Sequence, residues 1–397
     1  MKNNRLEDFV AALLSEVDVK INGDRPWDIK VNNSGLYRRV ATSGNLGLGE
    51  GYMDGWWDCN QIDELIYRIL RGNLAKKVRQ GVSLQLVLYT LFHFNPAGDK
   101  SKAYEIGEKH YDTGNDLFEK MLDKRMVYTC GYWRDAQDLD DAQEAKLDLV
   151  CRKIGLKPGM RVLDIGGGWG SFAKLAAEKY GVSVVNITVS KEQVVLANER
   201  CKGLNIENRL QDYRDVNEKF DAIVSLGMFE HVGPRYYQDY MEVVERCLKD
   251  DGLFLLHTIG RNETKGQPDA WISKYIFPNS ALPSAVLLAQ AIEGYFIMED
   301  WHNFSADYDK TLISWYNNFE AHWDELKGKY SERFHRMWRY YLLSCAGGFR
   351  SRNIQLWQIV LSKKGVLGGY QSVRWVLLRN FNVVVYATAL KEESVYV

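Results

Sequence analysis

The chain has 397 residues, 46% of them hydrophobic and 26% charged, and its 51 basic and 52 acidic residues leave a net charge of -1. That composition excludes a disordered chain and a disulfide miniature, and the balanced charge argues against a dedicated nucleic-acid binder. The 12 Trp and 23 Tyr are many for a soluble enzyme, and amphipathic aromatics suit places where apolar material meets water.

The N-terminal stretch MKNNRLEDFVAALLSEVDVK has no continuous apolar core of a secretion signal. Leu6, Phe9, Val10, Leu13 and Leu14 repeat at helical spacing. Residues 46–58, LGLGEGYMDGWWD, are dense in glycine and aromatics and predict a compact turn region. From 65 to 98 there are five basic residues (Arg68, Arg71, Lys76, Lys77 and Arg79) and no acid, with LQLVLYTLFHF at 84–94. A basic stretch with an apolar continuation suits an anionic membrane surface; the ordinary alternative is a solvated basic helix followed by a core helix. NPAGDKSK (95–102) has the composition of a linker. Residues 1–98 are therefore expected to form a smaller, mainly helical docking domain.

Strand and helix patterns alternate from there. RVLDIGGGWGSFAKLAAEKYG (161–181) gives strand, glycine turn and helix; VSVVNITVS (182–190) and KEQVVLANERC (191–201) give a second strand and helix. FDAIVSLGMFEHVG (220–233) and LFLLHTIG (253–260) supply further strands. This alternation predicts an α/β domain over 99–365 with a doubly wound, mostly parallel sheet. The tail, 366–397, has no evident role. No apolar run reaches the ~18–20 residues that span a bilayer. The six Cys show neither CxxC nor zinc spacing. No metal site is expected, and a cytoplasmic protein with reduced thiols is.

The most specific feature is Asp164-Ile165-Gly166-Gly167-Gly168-Trp169-Gly170, directly after a strand and opening a helix. Gly166, Gly168 and Gly170 permit positive φ and close approach to a ligand. Where a dinucleotide fold places an acidic residue for the ribose, this chain has Thr188-Val189-Ser190, which disfavours NAD. The GxGxG spacing resembles the first motif of S-adenosylmethionine-dependent methyltransferases, whose glycine turn approaches the amino-acid end of the cofactor. Gln193 is placed to hydrogen-bond the ribose. Asp212 and Tyr213 follow the third strand, either as an adenine site or as an ordinary loop pair.

Further strings occur in family order: EKHYDTGNDLFEKML (108–122), MVYTCGYW (126–133), GMFEHVGPRYY (227–237), WISKYIFPN (271–279), MEDWHNFSADYDKTL (298–312) and YYLLSCAGGFRSRNIQLWQIVLSK (340–363). Together with the glycine turn they closely resemble the bacterial cyclopropane-fatty-acyl-phospholipid synthases and, more distantly, the mycolic acid cyclopropane synthases, over about residues 6–365. The resemblance implies a seven-stranded class I methyltransferase sheet. It also implies methylene transfer from S-adenosylmethionine to a cis double bond of a phospholipid acyl chain, with bound bicarbonate as general base; a related lipid carbon methyltransferase without ring closure is the alternative. The bicarbonate ligands carry over to Cys130 and Ile259, through their backbones, and to Glu230, His257 and Tyr308. Tyr128 and Thr129 match cofactor contacts, and Cys345 matches a C-terminal cysteine sometimes proposed as catalytic. A homodimer peripherally bound to the inner face of the membrane is implied as well. The turn departs from the family pattern, which has Cys at the position of Gly167 and Gly at that of Ser171; cofactor binding is expected to be retained.

Overall fold

A computed structural model describes residues 3–74, 114–264 and 268–374 of the chain. The chain forms a seven-stranded sheet of β3 (Arg161–Ile165), β4 (Ser183–Thr188), β5 (Ile206–Leu210), β6 (Phe220–Leu226), β7 (Leu248–Arg261), β8 (Ile297–Asn303) and β9 (Ile354–Ser362), apolar runs at its centre and mixed sequences in β5 and β8 at its edges. A two-residue pair, β1 (Lys30–Val31) with β2 (Trp57–Asp58), lies in the N-terminal part. The sheet order is β5-β4-β3-β6-β7-β9-β8. Neighbours from β5 through β7 are parallel, and β9 runs antiparallel between β7 and β8. Four of the five residues of β3 are buried, as its unbroken apolar pattern requires of a central strand covered on both faces. The order reverses between β3 and β6, so the carboxyl ends of these two strands open a crevice, the usual ligand position in such sheets.

The predicted first helix is observed at Asn3–Ser15. The glycine-rich region does not form the expected turn. Its first half continues the helix Gly35–Met53, interrupted at Gly44, where φ is 53° and ψ is -130°. The reason is packing. Gly49 lies against the Trp271 ring, and a Cβ at Gly51 would stand 2.7 Å from Leu36 Cδ1. Glycine costs a helix about 1 kcal/mol against alanine, and here close helix contacts compensate for that cost.

Among the described residues, the N-terminal helices share a core with later helices. Leu14, Trp57, Ile62 and Leu65 belong to the same buried cluster as Trp315, Leu342 and Phe349, from the helices Ala306–Ala321 and Glu332–Arg350. Tyr340 stacks on Tyr52 with centroids 5.7 Å apart, and Arg336 donates to the carbonyls of Tyr52 and Trp57. Helix Ile62–Arg71 crosses at Gly347, where a side chain would strike the Asp63 carbonyl. Within the basic stretch, Arg68 is tied to Glu64 and Asp18 at 2.8 and 2.9 Å and lies 4.2 Å from the Trp27 ring, whereas Arg71 is exposed. Lys76, Lys77, Arg79, the apolar run 84–94 and the linker 95–102 lie outside the described residues.

Residues 366–374, the first part of the tail, lie across two buried charges, Asp300 of β8 and Lys153 of helix Leu139–Lys153. Tyr370 Oη donates to the Lys153 carbonyl at 2.8 Å, and Tyr132 Oη donates to the Arg374 carbonyl at 2.7 Å. Arg374 pairs with Asp300, whose carboxylate lies 3.9 Å from the fully buried Lys153 ammonium. Residues 375–397 lie outside the described part.

Candidate active site

Two groups of side chains meet the crevice, one at the end of β3 and the other at the ends of β6 and β7. At the first, Gly166, Gly168 and Gly170 have φ of 76°, 56° and 76°, as the spacing predicts. Gly167 does not adopt a positive φ. Its place is set by space, because a Cβ there would run into Asn186 Oδ1 and Asp164 Oδ2. Glycine at this position therefore makes room for two polar side chains rather than loosening the turn. Ser171 uses its hydroxyl to donate to the Arg125 carbonyl at 2.6 Å, fastening the following helix to the loop that leads to Tyr128.

Asp164 is fully buried, and neither carboxylate oxygen has a partner among the described residues. Burial raises its pKa to about 7, with the Lys146 charge opposing the shift. Thr188 Oγ1 donates to Gln193 Oε1 at 2.6 Å, and Ser190 caps the helix Lys191–Arg200 by accepting from the Gln193 N–H. With its oxygen occupied, Gln193 has its amide nitrogen toward the turn: a Cβ on Gly168 would sit 3.9 Å from Nε2. Asp212 is ion-paired to Arg214, and Tyr213 packs against Tyr240 with centroids 5.1 Å apart. A glycine cradle, an amide donor and an unpartnered buried carboxylate fit a ligand carrying hydroxyls at one end and an ammonium at the other.

At the second group, Glu230 Oε1 accepts from the Ile259 N–H at 2.7 Å. That backbone donor therefore holds the carboxylate. Glu230 Oε2 is buried without a partner, and burial raises the pKa to about 7. His257 is two residues before Ile259 and so on the same face of β7. Its Nδ1 accepts from Gln358 Nε2 at 3.2 Å, which places the ring proton on Nε2. Nε2 is itself buried with no partner, and burial keeps the ring neutral. Tyr308 is stacked on Phe349 at 4.4 Å, its phenol held protonated by burial. The Tyr308 ring also meets the Trp315 ring edge-on, with centroids 6.0 Å apart. The orphaned His257 N–H can donate to a small oxyanion, and the orphaned Glu230 oxygen can take a proton from one; among the described residues no cluster of His, Cys, Asp and Glu could hold a metal ion.

Tyr128 and Thr129 join the two groups. The hydroxyls of Tyr128 and Tyr341 are 2.9 Å apart, and the Tyr128 ring lies 5.1 Å from Phe118 and 5.2 Å from Trp315. Cys130 is wholly buried, and Gly131 N–H donates to Thr311 Oγ1 at 3.1 Å. Cys345 lies on helix Glu332–Arg350, with its thiol pushed up to about 12 by burial. All six cysteines are free. Two surface grooves among the described residues, about 330 Å³ beside β4 and β5 and about 480 Å³ between Asp123 and Asn318, have none of these site residues in their walls.

Sequence reasoning did not reach Gln143, Lys146 or Gln358, all fully buried beside the site. A signal existed for two of them: Gln143 and Lys146 share a face with Leu139, Leu147 and Val150, so they are polar residues on an apolar stripe.

Residues 98–359 match the family described as mycolic acid cyclopropane synthetase. The chain is 52% identical over 364 residues to cyclopropane-fatty-acyl-phospholipid synthase from Escherichia coli (strain K12), covering 91% of this chain and 94% of that protein. It is 33% identical to a probable fatty acid methyltransferase from Pseudomonas putida, covering 77% and 82%. A mycolic acid cyclopropane synthase crystallised with SAH and CTAB superposes with a TM-score of 0.60 at 32% identity, over 66% of this chain and 98% of that one.

Proposed function

The chain belongs to the mycolic acid cyclopropane synthetase family, and from that premise we propose that it transfers a methylene group from S-adenosylmethionine to a cis double bond of a phospholipid acyl chain. The observation that carries this reading is that Glu230, His257 and Tyr308 are each buried, the first two with a polar atom left without a partner, in a chain that also holds the glycine turn. An isolated alkene is a weak nucleophile, so the reaction depends on aligning its π bond with the methyl carbon of the sulfonium. The alkene carbon takes the methyl, S-adenosylhomocysteine leaves, and loss of a proton from the new methyl accompanies ring closure.

The chain's own residues serve this chemistry in three ways. Gly166, Gly168, Gly170 and Gln193 bind the co-substrate, and Asp164 receives a donor from its amino-acid end. Aromatic faces from Tyr128, Trp315 and Phe118 exclude water and stabilise developing positive charge. His257 Nε2–H and the Tyr308 phenol, both neutral donors, orient an oxyanion, and Glu230, titrating near neutrality, accepts a proton from it. Bicarbonate held there would supply the base. Cys345, with so high a thiol pKa, serves in packing rather than as a thiolate.

On the same reading the enzyme works at the bilayer surface as a homodimer, docked through residues 1–98. Among the described residues no helix is long and apolar enough to cross a membrane. The test is incubation with unsaturated phospholipid vesicles and S-adenosylmethionine, with lipid products read by mass spectrometry and proton resonance. A gain of one CH2 with cyclopropane protons and no olefinic protons is expected; a branched methyl product would favour the lipid methyltransferase alternative, which the Pseudomonas putida relative supports.

A further inference from the structure

Lys146 and Gln143 have no part in the steps above, yet both are wholly buried on helix Leu139–Lys153. Three residues apart, they hold a single residue of the site from two sides. Gln143 Nε2 donates to the Thr129 carbonyl at 2.7 Å, and Lys146 Nζ donates to Thr129 Oγ1 at 2.7 Å. Burying an ammonium is costly unless its charge is answered. Asp123 and Asp164 answer it at longer range, and its pKa is lowered to about 8, which leaves it mostly cationic at neutral pH.

The hydrogen-bond polarity follows from valence. An ammonium only donates, so the Thr129 oxygen is the acceptor and its own proton must go elsewhere. No described residue accepts that proton. The rest of the side chain is confined, since a Cβ on Gly227, at the end of β6, would stand 2.7 Å from Thr129 Cγ2. Thr129 thus sits between the helix and the crevice, one face taken by a cation and the other against the strand end.

We propose that Lys146 is a positioning residue: by donating to the Thr129 oxygen it turns the hydroxyl proton away from itself and into the crevice, where it is donated to the carboxylate of S-adenosylmethionine. The inference rests on the cofactor reading given above. It explains why a lysine rather than an apolar residue is buried here. A neutral partner able to accept would let the hydroxyl turn its proton inward.

Calorimetry with S-adenosylhomocysteine on the full chain tests it, using Thr129→Val, Lys146→Met and the double variant. Each single change is expected to weaken binding about tenfold, as loss of one charge-assisted hydrogen bond does. The double variant should fall within about threefold of either single one, because both remove the same contact. KM for S-adenosylmethionine should rise while KM for the lipid stays unchanged, a split that general loosening would not give. Wild-type affinity in a folded Lys146→Met protein, or losses that multiply to about a hundredfold in the double variant, would overturn it. Should Lys146→Met not fold, Lys146→Gln replaces it. Its amide oxygen can take the Thr129 proton, so the same tenfold loss is expected and unchanged binding refutes the proposal. Failure of the wild-type protein to bind S-adenosylhomocysteine would defeat the cofactor reading instead.

Discussion

Replacing Glu230 by Gln should raise stability and abolish turnover, with both effects set by one buried carboxyl. Burial moves its pKa from an ordinary 4.5 to about 7. A raised carboxyl pKa means that the folded protein holds the proton more tightly than the unfolded chain. The stability this confers is present below pH 4.5 and is lost as pH rises toward 7. At about 1.4 kcal/mol per pKa unit, the loss amounts to about 3 kcal/mol. Glutamine mimics the protonated acid: its carbonyl can still accept from the Ile259 N–H, and it cannot ionise. In bicarbonate-free buffer the variant should match the wild type near pH 4.5 and exceed it by about 3 kcal/mol at pH 8, roughly 3–6 °C in Tm. Turnover at pH 8 should fall by about 10²-fold or more, since the oxyanion base can no longer pass its proton on to a carboxylate, while S-adenosylhomocysteine affinity stays near the wild-type value. Scanning calorimetry at the two pH values, with the vesicle assay, decides the matter. A stability gap that does not change with pH, or an active Glu230→Gln enzyme, would refute the reasoning.

Cys345→Ser should keep most of its turnover, because a thiol with a pKa near 12 is not a thiolate at neutral pH; complete loss of kcat in a folded variant would restore a catalytic role. Gly227→Ala combines a φ of 75° with a Cβ crowding Thr129. It should cost about 1–3 kcal/mol and weaken cofactor binding together, by thermal melts and calorimetry. Neutralising Arg71, Lys76, Lys77 and Arg79 should reduce binding to anionic vesicles by about 1 kcal/mol per charge at low salt. Arg68→Gln alone should change it little, since Asp18 and Glu64 already offset that charge; equal effects from Arg68 and Arg71 would reject this account.

The central strands β3, β4 and β6 and the second half of β7 were legible because each is a short apolar run near a turn or helix signal, and such runs need only local pattern to be recognised, whereas β5 (IENRL) and β8 (IMEDWHN) are too polar to announce themselves. The glycine turn was legible for the same reason: Asp164 to Gly170 is contiguous. What was not legible depends on contacts between distant segments. The helical state of residues 46–53 follows from Trp271 and Leu36, which no local pattern announces. Lys146 is decided by Thr129 across a loop, and Gln358 by His257 across two strands. Ile259 was legible as a member of the site, but the partner of its N–H became apparent only once Glu230 was placed. Several of the aromatic residues contact one another: Tyr128 and Tyr308 both meet Trp315, and Tyr308 stacks on Phe349.

The core shared between the N-terminal helices and Glu332–Arg350 constrains how the family can vary. The matching family model begins only at residue 98, yet Tyr340, Gly347 and Arg350 are shaped for partners that precede it. A relative that dispenses with those first residues cannot simply omit them. It must rewrite the outer stripe of this helix in polar residues, or bring other apolar chain across it. That stripe is thus a diagnostic: its composition alone should sort two-part members from shorter ones, before any alignment of their N-termini is attempted.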